Sequence, residues 1–328
     1  MKEIHYILLL CAGLLGYLPL KSAPLRIVSY NVENLFHPEK DSIKDDGEWT
    51  PEGEKHWSYA RYNRKVENIA RVLTNIGEWD GVDIVGLQEI ENAAVVKKLC
   101  YTLRRNEYDF VHYDSPDRRG IDVALMYKKA RVDTLRTRAI VVNDGMSASL
   151  NDGLITRDIL YVCARVKNDP SKVHGDTLHL FVCHLPSQRG GKAETEWKRE
   201  AAKEVLQKAV DSVFAISENA KIIVMGDMNS TDELKIKNYE LKDKLAKSQK
   251  LKANSQQGTY KHNGRWECID HFYVSEAIDS VSNAYVYDAE WIQEPDEKYL
   301  GLKPKRTYNG FTYQNGFSDH LPVILDLR

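Results

Sequence analysis

The strongest constraint on the fold is a strand that runs straight into reactive side chains. After Lys221, the run Ile222 to Met225 is wholly apolar, and Gly226-Asp227-Met228-Asn229-Ser230 follows at once. A short continuous apolar run is a strand buried on both faces, so it belongs inside a covered sheet. Gly226 allows a tight turn. The two-residue alternation of a strand then sends Asp227 and Asn229 to the same side. An interior sheet therefore delivers a carboxylate and an amide together at its end.

Similar runs recur along the chain. Strands are predicted at 25–30, 83–87, 122–127, 132–142, 159–166, 178–183, 268–274 and 323–327. Apolar positions at helical spacing, such as Val66, Ile69, Ala70, Leu73 and Ile76, predict a helix over 59–79. Further helices are expected over 92–104 and 194–214. Strands occur both singly between helices and in succession. That mixture predicts an α+β layered sandwich, with mixed sheets inside and helices outside. No linker-like stretch divides residues 24–328, which read as one domain.

The first 23 residues stand apart. Lys2 precedes an apolar run from Ile7 to Leu20, too short for a confident membrane span and suited to a secretory signal peptide over 1–23. Export to the periplasm or medium is the expectation, with a lipid anchor at Cys11 as the alternative. Cys100, Cys163, Cys183 and Cys268 show no zinc-type spacing. Export would permit disulfides among them, and the sequence does not pair them. The net charge of -2 argues against a generally basic nucleic-acid coat, while leaving room for a local basic groove.

Six strand ends carry residues whose chemistry fits together: Asn31-Val32-Glu33, Gln88-Glu89, His184-Leu185, Gly226-Asp227-Met228-Asn229, Ile269-Asp270 and Ser318-Asp319-His320. Taken singly, each is as well explained by a solvated strand end or a turn. Together they supply what phosphate-ester cleavage requires. Carboxylates hold a hard cation, an acid–base pair activates water, and amide or imidazole donors neutralise phosphoryl oxygens.

In this order the motifs resemble those of the endonuclease/exonuclease/phosphatase superfamily, deoxyribonuclease I-like, over residues 25 to 328. The resemblance implies a four-layer α/β sandwich, two mixed sheets packed face to face with helices outside. It implies Mg²⁺, with Mn²⁺ or Ca²⁺ as substitutes, held by Glu89 with Asn31, Glu33 and Asp319. It assigns water activation to Asp227, phosphate positioning to Asn229, and a phosphate-contacting imidazole to His320, oriented by Asp270. His184 resembles a second histidine that assists the leaving group, and Asp122 the acid that orients it. Arg157 and Thr259 are candidate phosphate contacts.

The implied activity is that of a phosphodiesterase, first of all a secreted or periplasmic nuclease acting on DNA or RNA as a monomer without an obligate protein partner. Arg118, Arg119, Lys303, Lys305 and Arg306 are candidates for a polyanion groove. A sphingomyelinase-like phospholipid hydrolase is the alternative, for which Trp49, Trp57 and Trp291 would have to be exposed. An inositol-polyphosphate phosphatase is another, with Lys261 and Arg265 as its extra cations. A binding module without catalysis is disfavoured because the acid, base and metal set is intact. The acidic loop over 41–57 is expected to be a lid or a solvated loop.

Overall fold

The computed structural model describes residues 24–142, 154–167, 175–236, 239–245 and 258–328. The proposed signal segment lies outside them. In chain order the strands are β1 (Leu25–Leu35), β2 (Ile84–Ile90), β3 (Tyr108–His112), β4 (Asp122–Lys128), β5 (Val132–Ile140), β6 (Ile159–Val166), β7 (Thr177–His184), β8 (Lys221–Asp227), β9 (Leu241–Asp243), β10 (Tyr260–His262), β11 (Arg265–Glu267), β12 (Asp270–Ser275), β13 (Val281–Val286), β14 (Gln293–Pro295), β15 (Leu302–Pro304), β16 (Tyr308–Asn309), β17 (Thr312–Tyr313) and β18 (Val323–Leu327). Helices α1 (Tyr59–Gly77), α2 (Ala93–Leu103) and α3 (Lys192–Phe214) complete the layers.

Two six-stranded mixed sheets form the centre, in the orders β13-β18-β1-β2-β4-β3 and β5-β6-β7-β8-β12-β9. Each has a parallel pair in its interior, β1 with β2 and β7 with β8, and antiparallel pairs elsewhere. The inner faces bury Ile27, Ile84, Leu180, Val182, Ile223 and Met225, and Val85 and Leu87 on the opposite face of β2 continue the same core toward the helices. A second core packs α3, through Leu206, Val210 and Val213, on Phe181, Ile222 and Val224. The order of layers is helices, sheet, sheet, helix, as expected for the four-layer sandwich. The sheets approach closely at Gly86, where an added Cβ would lie 2.7 Å from Met225 Sδ.

Local rules explain the helix ends. Ser58 Oγ accepts the Arg61 N–H at 3.4 Å to open α1, and Asn92 Oδ1 accepts the Ala94 and Val95 N–H groups to open α2. The loop before α1 is neither a free lid nor a solvated loop. Trp49 and Trp57 are buried against Phe36 and Tyr308. Asp46 accepts the Asp41 N–H, and Lys44 donates to the carbonyls of Ser115 and Asp117.

A buried pair beneath the site makes stability depend on pH. His271 Nδ1 lies 3.0 Å from Asp243 Oδ2 and its Nε2 3.0 Å from the Cys268 carbonyl. Both partners are acceptors, so both ring nitrogens must carry protons. Burial opposes that charge, but the Asp243 hydrogen bond and charge outweigh it and raise the His271 pKa above 6.5. The folded state therefore holds the proton more tightly than the unfolded state. This stabilisation is complete below the unfolded pKa and is lost as pH rises through the folded one. His271→Gln should flatten the fall in stability above pH 6.5, read from urea midpoints at pH 6 and pH 9. An unchanged pH profile would show that His271 does not carry it.

Candidate active site

The C-terminal ends of the two central parallel pairs meet across the sandwich and open into one cleft of about 620 Å³. Glu89, His184, Asp227, Asn229, Asp319, His320, Arg157 and Arg306 are among the residues that line it. β2 supplies Glu89, β7 His184 and β8 Asp227. Register explains the convergence: His184 pairs with Asp227, and Asp227 pairs in turn with Asp270 on β12. Gly226, at φ +137, is obligatory here, because a Cβ would lie 1.9 Å from the Cys183 carbonyl oxygen.

Asp227 is the hub. Its Oδ1 accepts the Asn229 N–H at 2.8 Å and its Oδ2 accepts Asn31 Nδ2 at 3.1 Å. His184 Nε2 stands 3.6 Å from Oδ2 and His320 Nε2 3.8 Å from it. Burial, with the Asp270 charge added, pushes the Asp227 carboxyl well above its usual range.

The two imidazoles differ in charge. His320 Nδ1 lies 2.8 Å from Asp270 Oδ2, and its other nitrogen faces Asp227 and Asp319. Burial alone would lower its pKa, but the charge and hydrogen bond of Asp270 hold it well above 6.5. His320 is therefore an imidazolium. Burial lowers His184 well below 6.5, and the cations Arg157 and Arg119 push the same way, so His184 is neutral.

Several residues take places other than those expected. Glu33 does not line the cleft: its carboxylate accepts from Arg306 Nε at 3.2 Å and the Thr307 N–H at 2.6 Å, with buried Lys65 at 3.8 Å. With its oxygens taken by cations and an amide, it braces the cleft wall. Asn31 turns its Nδ2 toward Glu89 and Asp227, while its Oδ1 accepts the Glu33 N–H. A metal needs the oxygen, so Asn31 here ties two carboxylates together.

Thr259 is fully buried and donates to Asp270 Oδ2, supporting the dyad from behind where phosphate cannot reach. Asp122 does not orient His184. It accepts from the Ser115 N–H at 3.1 Å and from Ser115 Oγ, and His184 Nδ1 has no hydrogen-bond partner. Asn229 donates its side-chain N–H to the Leu185 carbonyl at 2.9 Å, leaving Oδ1 for the cleft. Arg157 donates to Asp117 and to the Leu185 carbonyl and still lines the cleft.

Of the basic residues expected in a groove, Arg119 and Arg306 line the cleft, whereas Arg118, Lys303 and Lys305 do not. Arg189 and Lys192 line it too. They flank Gly190-Gly191 just after the His184 motif, a basic, glycine-rich loop that the sequence could have signalled. Lys261 is buried in an ion pair with Asp296 at 2.8 Å and is not available to a substrate.

Acidic residues of this site can bind a metal ion. Glu89 carries the main fit. Its backbone is held at φ +64, and its Oε2 accepts the Asn34 N–H. Its Oε1 has one long 3.5 Å contact with Asn31, which leaves acceptor capacity in the cleft. Asp319 adds a second cleft-lining carboxylate, paired with Arg306 at 2.8 Å. Among the described residues, Asp227, Asp270 and His320 form another group close enough to share an ion, although the Asp270–His320 hydrogen bond occupies one edge of it.

Comparison with known proteins places this geometry. The endonuclease/exonuclease/phosphatase protein of Bacteroides vulgatus shares the fold: it is 16% identical, covers 93% of this chain and 98% of its own, and superposes with a TM-score of 0.59. Truncated TDP2 of Caenorhabditis elegans is 18% identical, with 94% and 99% covered and a TM-score of 0.59. The mannosyl-6-phosphatase of Bacteroides thetaiotaomicron is 17% identical, with 93% and 99% covered and a TM-score of 0.56. No curated protein matches the sequence. The profile described as "Endonuclease/Exonuclease/phosphatase family" matches residues 26–328, nearly the whole chain. The chain belongs to the endonuclease/exonuclease/phosphatase family, whose members are phosphoric ester hydrolases.

Proposed function

We propose that this protein is an exported, Mg²⁺-dependent phosphodiesterase that cleaves DNA or RNA. The observation that carries the reading is the placing of two imidazoles around one buried carboxylate, His184 at 3.6 Å and His320 at 3.8 Å from Asp227, in a cleft edged by Arg119, Arg189, Lys192 and Arg306. Asp227, raised in pKa and fixed by Asn229 and Asn31, takes the proton of the attacking water. The His320 imidazolium donates to a non-bridging phosphoryl oxygen. Neutral His184 lies on the other side, beside Glu89 at 4.0 Å, where it orients the phosphate or the leaving oxygen. A hard divalent cation at Glu89 and Asp319, when bound, would supply Lewis-acid charge neutralisation. The arginine and lysine side chains suit the flanking phosphates of a polymer.

The burial of Trp49 and Trp57 weakens the sphingomyelinase-like alternative, since neither is free to enter a lipid surface. Trp291 packs edge-on against Phe317 and beneath Arg71. Among the described residues no helix is long and apolar enough to cross a membrane. Export rests on residues 1–23 and is tested by N-terminal sequencing of the protein recovered from periplasm or medium; an uncleaved cytoplasmic chain would refute it.

The substrate test compares plasmid DNA, RNA, sphingomyelin, an inositol polyphosphate and a sugar phosphate, each with Mg²⁺ and with chelator. Chelator-sensitive cleavage of DNA or RNA is expected. Turnover confined to a lipid, inositol phosphate or sugar phosphate would overturn the nuclease assignment.

A further inference from the structure

A second cluster of ligand-type side chains does not line the cleft. His112 ends β3, Asp114 follows in the loop, Asp122 begins β4 and Asp158 precedes β6. One donor atom from each of His112, Asp114 and Asp122 lies within 4.8 Å of the others. Asp122 Oδ1 is satisfied by Ser115, but Oδ2 is buried without a hydrogen-bond partner. His112 Nε2, 3.6 Å away, is likewise buried and without a hydrogen-bond partner. Asp158, 8% exposed, has an unpartnered buried Oδ1 and lines the same small cavity of about 10 Å³ as Asp122, Ser115 and Tyr113. That is room for about one water or one bare ion on the Asp158 side of Asp122; His112 and Asp114 reach Asp122 from outside this cavity.

Three observations converge on a cation. First, a gap of 3.6 Å is long for a hydrogen bond. It suits two ligands on one ion, which stand roughly 3.4 Å apart around tetrahedral zinc with bonds of about 2.0–2.2 Å. Second, the carboxylates of Asp114, Asp117, Asp122 and Asp158 gather here. Arg157 is paired with Asp117, and Lys44 is spent on the Ser115 and Asp117 carbonyls. Third, Asp122 and Asp158 line one cavity, and each keeps a buried carboxylate oxygen without a hydrogen-bond partner.

We propose that His112, Asp122 and Asp158, with Asp114 at the solvent side, form a second and structural divalent-metal site. One imidazole nitrogen among carboxylate oxygens selects Zn²⁺ over Mg²⁺. Because β3 and β4 belong to one sheet and β6 to the other, the ion fastens the two sheets together at that edge. It also steadies the segment carrying Arg157 into the cleft wall. The site needs no assumption about the substrate.

The test is Zn²⁺ binding to the chelator-stripped full chain carrying Glu89→Gln and His320→Ala, which removes ligands from the cleft. Equilibrium dialysis should find about one Zn²⁺ per chain, and ring resonances of His112 should shift on titration. His112→Gln and Asp114→Asn, each added separately, should weaken binding at least tenfold, and zinc should raise the melting temperature only where the site is intact. Absence of stoichiometric zinc, or unchanged binding in His112→Gln, would overturn the proposal. So would an unshifted His112 resonance, which identifies a plain His112–Asp122 ion pair.

Discussion

Asp227→Asn should lower kcat on a phosphodiester by about 10³-fold, within the range for loss of a general base, while leaving the protein at least as stable at pH 8. The two effects share one cause. Asp227 is buried beside Asp270, and its carboxyl is raised above the ordinary range. For an acid raised in the folded state, the unfolded chain releases its proton first. Folding stability is then lost as pH rises from the unfolded value, about 3.9, toward the folded one. An amide carries no such penalty. In metal-free protein, the variant should gain stability over the native chain at pH 8 and gain none at pH 3. Urea unfolding at the two pH values, set beside steady-state kinetics, checks both halves. Equal losses of activity and stability would mean that Asp227 is a structural acid.

Trp57→Ala should cost about 3–5 kcal/mol, the usual range for a fully buried aromatic. Trp57 has no exposed surface, stands edge-on to Trp49 with ring centroids 5.6 Å apart, and donates its indole N–H to the Phe36 carbonyl at 2.8 Å. The substitution leaves a cavity and an unpaired buried carbonyl at the end of β1. Trp57→Phe keeps most of the volume and should lose less. Denaturant unfolding gives both values; a loss below about 1 kcal/mol for the alanine variant would show that the loop before α1 is not part of the core.

The sequence and the structure agree where one local pattern decides. Continuous apolar runs located the central strands, and the helices expected over 59–79 and 92–104 match α1 and α2 to within about two residues. Agreement ends where a partner decides. β1 runs to Leu35, beyond its expected end at Tyr30, because its pairing with β2 resumes after a bulge. Glu33 and Asn34 adopt positive φ in that bulge, which turns Glu33 away from the cleft and into Arg306 and Lys65. Lys65 itself gave no signal, since a lysine on a helix is by default at the surface. Here it is buried and bonded to Thr307 and the Phe317 carbonyl. The strands from β9 to β17, apart from β12 and β13, are two or three residues long and largely polar, so only their partners define them.

The same division holds within the site. The motif order identified which strand ends meet, and the structure brings Glu89, His184, Asp227, Asn229, Asp319 and His320 around one cleft. The motifs paired Asp270 with His320, as the structure does, but gave Asp122 the wrong partner. Asp122 and His184 sit in motifs that look complementary, yet Ser115 and His112 take the carboxylate. Thr259 looked like a phosphate contact and is instead the support of Asp270. Side-chain direction at strand ends depends on bulges and on neighbouring loops, neither of which a motif encodes.

The most direct test of the account is the Mg²⁺ dependence of hydrolysis of a chromogenic phosphodiester by the native chain and by Glu89→Gln. Chelator should take the native rate to background, Mg²⁺ should restore it, and Glu89→Gln should need at least tenfold more Mg²⁺ for half-maximal activity. A native rate indifferent to chelator, or an unchanged Mg²⁺ requirement in Glu89→Gln, would contradict it.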